Sequence, residues 1–131
     1  LLPKLERIRK DPDNPFPGSV PGLDGRWVPA RTDHSALAAL LQSAEAIICK
    51  RWACDAYDAL IAAGFKWGFN GGDFVFVGWI HDELQVAVRG GLEEAIGAIL
   101  VRCAKAAGAP YKFRVPLASK AKVGRNWSET H

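Results

Sequence analysis

His81, Asp82 and Glu83 stand between two apolar runs, residues 74–80 and 84–88. Runs separated by so few residues turn back on each other as a hairpin. Tight hairpin turns ordinarily take Asn-Gly, Asp-Gly or Gly-X, because a central residue needs positive φ. Here the turn carries an imidazole and two adjacent carboxylates instead. Neighbouring carboxylates repel, and a divalent cation relieves that repulsion. The same tripeptide also suits an exposed acidic turn that holds nothing, so these residues alone leave both readings open.

The elements that must position this turn are legible on either side of it. The run leading in, Phe74-Val75-Phe76-Val77-Gly78-Trp79-Ile80, is continuously apolar, the composition of a strand covered on both faces. Upstream, Leu37, Leu40, Leu41, Ala44, Ile47, Ile48, Trp52, Ala56, Leu60 and Ile61 keep helical steps of three and four. Asp33 is the candidate N-cap and Gly64 the stop, which predicts a helix of roughly 43 Å over about residues 35–63. Phe65, Trp67 and Phe69 then interleave with glycines in a loop, fit either for stacking on bases or for anchoring the loop. Downstream, Leu92, Ala95, Ile96, Ile99, Leu100 and Cys103 mark a second amphipathic helix, with Glu93 and Glu94 in its first turn. Phe113 and Val115 suggest a further strand, and residues 120–123 another short one. Four prolines between Asp11 and Gly22 make a connector, and Leu23-Asp24-Gly25-Arg26 before Trp27-Val28 reads as the turn of a small hairpin.

The chain has 131 residues, about one domain, and 49% of them are hydrophobic types, enough for a real core. No apolar run reaches the roughly 18 residues of a membrane helix, so no membrane partner is expected. Three cysteines in no CxxC spacing argue against a disulfide framework or a zinc site, and a reducing, cytoplasmic setting fits. Net charge is +3. Lys112, Arg114, Lys120, Lys122 and Arg125 gather near the end against Glu129 alone, a stretch able to attract phosphate or simply to be solvated.

The segment Gly78-Trp79-Ile80-His81-Asp82-Glu83-Leu84-Gln85-Val86-Ala87-Val88 closely resembles motif C of family A DNA polymerases, in particular the bacteriophage branch. Leu23-Asp24-Gly25-Arg26 with residues 34–44 resembles the entry into the long helix of the polymerase palm, and Gly124-Arg125-Asn126-Trp127 resembles the phage-type C-terminus. The blocks follow the family's order and cover nearly everything from residue 22 onward. The resemblance implies an α+β fold: a partial polymerase palm, an antiparallel hairpin sheet backed by two helices, as an incomplete ferredoxin-like βαββαβ unit. Residues 1–22 are then a connector from an upstream region, and residues 23–131 the C-terminal part of the palm.

By the same resemblance Asp82 matches the aspartate that binds the catalytic Mg²⁺ ions, two in number, and Glu83 the supporting acid beside it. Mg²⁺ prefers hard oxygen ligands, and two-metal transfer of a nucleotide needs carboxylates that bridge both ions. His81 matches a residue near the primer terminus. Gln42 matches a glutamine that feels the minor groove, where the acceptors are nearly common to all base pairs. His34 lies near the position of an arginine in bacterial members. The family's asparagine one turn before the glutamine is Ala38 here, whose side chain can neither donate nor accept a hydrogen bond.

The implied partners are primer–template DNA, a deoxynucleoside triphosphate bound through the fingers, and the upstream part of the polymerase in cis or in trans. The implied setting is the host cell cytoplasm. No acid before Asp82 lies in an apolar strand pattern, so the second metal-binding aspartate, like the fingers helix, is not among these residues. The chain is therefore expected not to extend a primer by itself. Two rivals accompany this reading: a non-catalytic nucleic-acid-binding module, which would expose aromatics on its sheet, and a metal-dependent hydrolase, which would need histidines beyond His34 and His131. The palm reading further expects Asp82 and Glu83 at the hairpin tip, with the long helix packed beneath the sheet through Leu37, Leu41, Ala44 and Ile48.

Overall fold

The computed structural model describes residues 1–130. In chain order these form α1 (Leu2–Lys10), β1 (Ser19–Pro21), β2 (Trp27–Pro29), α2 (Asp33–Ala62), β3 (Phe74–Ile80), β4 (Glu83–Val88), α3 (Glu93–Ala106) and α4 (Trp127–Thr130), with a single 3-10 turn at Ala109–Tyr111. The class is α+β. The chain divides into two compact units, Leu1–Ile47 and Ile48–His131, and the division falls inside α2. No helix among the described residues is long and apolar enough to cross a membrane.

In the first unit, α1 carries Pro3 in its first turn and Arg7, Arg9 and Lys10 in its last, where cations suit the carbonyl end of the helix. The proline-rich segment is held by buried Asn14. Its amide donates to the carbonyls of Ile8 (3.1 Å) and Ser19 (3.0 Å), and its side-chain oxygen accepts from Phe16 N–H (2.9 Å). β1 and β2 pair antiparallel, Val20 opposite Val28. Leu5, Val20, Ala30 and Ala36 form the core of this unit, with Val28, Leu37 and Leu40 against it. β1 and β2 pair across residue 22, and Leu5 of α1 shares their core. The carboxylate of Asp33, in the first turn of α2, takes Arg9 (2.5 Å) and Lys10 (2.8 Å).

In the second unit β3 and β4 form an antiparallel hairpin. Phe74 of β3, Leu60 of α2 and Ile96 of α3 are fully buried together, with Phe76, Val86, Val88 and Leu100 packed on them. α3 runs beside the later part of α2, where the Trp52 indole donates to the Leu100 carbonyl at 2.9 Å. Trp67 packs edge-on against Tyr57, Phe74 and Phe76, with ring centroids 5.3–5.4 Å apart, so this loop aromatic is an anchor, while Phe69 is 78% exposed. Buried Asp73 closes the loop. It accepts from Lys66 N–H at 2.8 Å, and its other oxygen lies 2.7 Å from the Arg89 guanidinium.

Three expectations need correcting. The hairpin does not rest on Leu37, Leu41, Ala44 and Ile48: Leu37 serves the first core, Leu41 is 59% exposed, and Leu60 is the α2 residue buried under the sheet. The lengths explain this. A helix of 30 residues spans about 45 Å, whereas a strand of 7 residues spans about 23 Å, so one sheet cannot use the whole helical stripe. Nor is β3 covered on both faces. Phe74 and Val75 are buried, but Val77 is 54% and Trp79 41% exposed toward the turn. Finally, residues 113–115 and 120–123 form no strand. Lys112 is left-handed (φ 53°), Pro116 has no donor, and the tail runs over α3 close enough that a Cβ on Gly97 would lie 3.2 Å from Ala121. Among the described residues the sheets are two separate antiparallel pairs.

Candidate functional site: the β3–β4 turn and its groove

Ile80 pairs with Glu83, leaving His81 and Asp82 as the two turn residues. His81 takes φ 54°. Positive φ at the first turn position and not the second has the sign pattern of a II′ turn, whose twist matches the strands it joins. Glycine usually occupies that position, so a histidine there must be held by its surroundings. One restraint is visible: the Trp79 indole N–H donates to the His81 carbonyl at 2.6 Å. Before the turn, β3 carries a bulge. Phe76 faces Val86 and Gly78 faces Gln85, so Val77 is an extra residue. A bulge re-aims the side chains that follow it and strengthens the local twist.

The two carboxylates differ. Asp82 is exposed, and among the described residues nothing hydrogen-bonds or ion-pairs with it. Glu83 opens β4, is half-buried, and accepts a short hydrogen bond from the Gln85 side-chain amide. Both line a groove of about 1020 Å³, together with Val86 and Ile96 and, from the tail, Lys122 and Trp127. All of β4 borders this groove, and among the described residues its outer edge is unpaired. Arg125, Asn126 and Trp127 of the C-terminal block therefore share one cavity with Asp82 and Glu83. His81, exposed, is not among the lining residues. Gln42 and His34 are exposed on α2 in the first unit.

As donors for a divalent ion, Asp82 and Glu83 offer adjacent hard oxygens, the right kind for Mg²⁺. They are not a complete ligand set: among the described residues no three His, Cys, Asp or Glu side chains come together.

No protein-family model matches the chain. Two curated proteins do. The chain is 43% identical over 116 residues to the DNA-directed DNA polymerase of Enterobacteria phage T3, and 40% identical over the same number to that of Escherichia phage T7. By sequence, this chain is akin to a segment of phage DNA-directed DNA polymerases. The matched residues are 86% of this chain and 16% of either polymerase. The resemblance to bacteriophage DNA polymerases is thus borne out as a similarity to one segment of those proteins.

Sequence reasoning located the turn but missed Trp79, Gln85 and the tail as its neighbours. The first two sit two residues from the groups they hold, a spacing that in a strand puts side chains on one face. That signal was available. The tail's approach, forty residues further on, carries no local signal.

Proposed function

We propose that the chain is the C-terminal portion of the palm of a template-directed, family A-type DNA polymerase, with Asp82 as a metal-binding carboxylate and Glu83 as its supporting acid. One observation carries this reading. Asp82 and Glu83 of the motif C-like segment and Arg125, Asn126 and Trp127 of the C-terminal block line the same groove although the sequence keeps them far apart. The unpaired edge of β4 on that groove supports it too, because a further strand carrying a second carboxylate would have a backbone to pair with there.

In this reading Asp82 and Glu83 would hold Mg²⁺, with the remaining oxygens coming from water, substrate phosphates and a carboxylate of the rest of the polymerase. Bound there, Mg²⁺ supplies Lewis-acid stabilisation of an in-line phosphoryl transfer. The chain's own contribution is placement. Asp82 presents an exposed carboxylate on a restrained turn, and Gln85 restricts Glu83. The exposed side chains of Gln42, His34 and His81 would meet primer–template DNA, and the nucleotide would arrive through the upstream fingers region.

The test is Asp82→Ala in the complete polymerase. Nucleotide incorporation is expected to be abolished while primer–template affinity changes little, because affinity comes from many dispersed backbone contacts. Extension at a near-normal rate would end the assignment. The exposed Trp79 on β3 favours a second reading, a nucleic-acid-binding module without catalysis, which that same result would support.

A further inference from the structure

We infer that Trp79 is a positioning residue for Asp82: its indole N–H fixes the peptide plane from which Asp82 departs. The inference rests on the reading of Asp82 given above. The acceptor is the carbonyl of His81, at 2.6 Å. That carbonyl and the Asp82 N–H belong to one planar peptide unit. Holding the oxygen therefore fixes the orientation of the whole unit, and with it the direction in which the Asp82 side chain leaves the backbone.

Such a restraint is needed here. His81 sits at φ 54°, in a region that L residues with a Cβ occupy only when neighbouring structure imposes it. Among the described residues nothing hydrogen-bonds to the Asp82 side chain to define its direction. The tip lies beyond the buried part of β3, where packing no longer holds the strand: Phe74 and Val75 are buried, and Trp79 is 41% exposed. The bulge at Val77 adds a residue to β3 on the way to the turn and so alters where Trp79 points. A large indole left that open is poorly explained by core packing and well explained by its hydrogen bond. Glu83 has a separate restraint, the Gln85 amide.

The experiment uses the complete polymerase carrying Trp79→Phe, which keeps a ring and removes the donor. Its kcat is expected to fall about 3- to 10-fold, the range for one lost hydrogen bond. The Mn²⁺ dissociation constant, read by electron paramagnetic resonance in the absence of nucleotide, should rise by a similar factor. The KM for nucleotide and the thermal midpoint should stay near wild type. If phenylalanine packs badly, benzothienylalanine at position 79 gives the same test, since it matches the indole in shape and lacks the N–H. Wild-type kcat and Mn²⁺ affinity in a folded variant would overturn the inference. So would losses that merely track a lowered thermal midpoint. Asp82→Ala run alongside separates the two failures. If that variant is inactive while Trp79→Phe behaves as wild type, only the role of Trp79 is lost. If it stays active, the reading of the site itself is wrong.

Discussion

Among the described residues there are two small antiparallel hairpins, and each carries an aspartate in its turn. In the β1–β2 turn, Asp24 is consumed locally. Its oxygens accept from Arg26 N–H (3.3 Å) and from the Arg26 guanidinium (2.5 Å), while Gly25 supplies the left-handed residue at φ 82°. In the β3–β4 turn the left-handed residue is a histidine, and the Asp82 carboxylate is left without a partner among the described residues. Both turns solve the same geometric problem. The first does so with residues that lower its own energy. The second uses a costlier backbone residue and leaves a charge available, a difference that agrees with the role proposed for Asp82.

The largest contrast is between the aspartates themselves. In the complete polymerase Asp82→Ala should eliminate incorporation, whereas Asp24→Ala should leave the rate within about twofold, since an exposed ion pair is worth little. Comparable losses from both would erase the distinction. Next is the support of the second hairpin. Leu60→Ala should cost about 2–5 kcal/mol in urea unfolding and speed amide exchange in β3 and β4, because Leu60 is fully buried against Phe74 and Ile96. A loss below about 1 kcal/mol would mean that the hairpin is held by something else.

Smaller effects concern the left-handed residues. Gly25→Ala should destabilise by about 1–2 kcal/mol although space is open around it, because the cost is one of backbone conformation. His81→Gly should relieve the same conformational penalty, offset in part by the greater freedom of the unfolded chain. Measured urea midpoints should therefore move in opposite directions, and movement in the same direction would contradict the account of the turns.

The smallest effect is one of pH. Partial desolvation pushes the Asp24 carboxyl up, but the hydrogen bonds and charge of Arg26 outweigh it and hold the group below its usual value of 3.8. A group depressed in the folded state stabilises above its unfolded pKa, and that stability fades as pH falls through the depressed value. Asp33 behaves alike, held down first by the Lys10 hydrogen bond and then by that of Arg9. Lys10 is raised by the same partners, Asp33 first, so its share is present below 10.5 and fades as pH rises through the raised value. Acid unfolding of Asp24→Asn should show a shallower decline below pH 3.8 than the parent. An unchanged profile would mean that the Arg26 contacts do not persist in solution.

Periodicity and local chemistry were enough to find the long helix, α3, the β3–β4 hairpin and the Asp82-Glu83 turn, because each depends on neighbours within a few residues. Expected bounds for α2 came within two residues of those observed. The strands assigned to residues 113–115 and 120–123 failed for the opposite reason. Alternating apolar residues there would need a sheet edge to pair with, and the chain instead lays this segment across α3. The sequence by itself therefore determined which residues turn, which helices form and which acids are adjacent. Only the tertiary structure decided that α2 serves two cores in succession, that β3 is open toward its tip, and that the tail borders the groove of Asp82 and Glu83. Those outcomes depend on where surfaces meet after the chain has folded back on itself, and the burial that selects among the possible meetings acts on no local pattern.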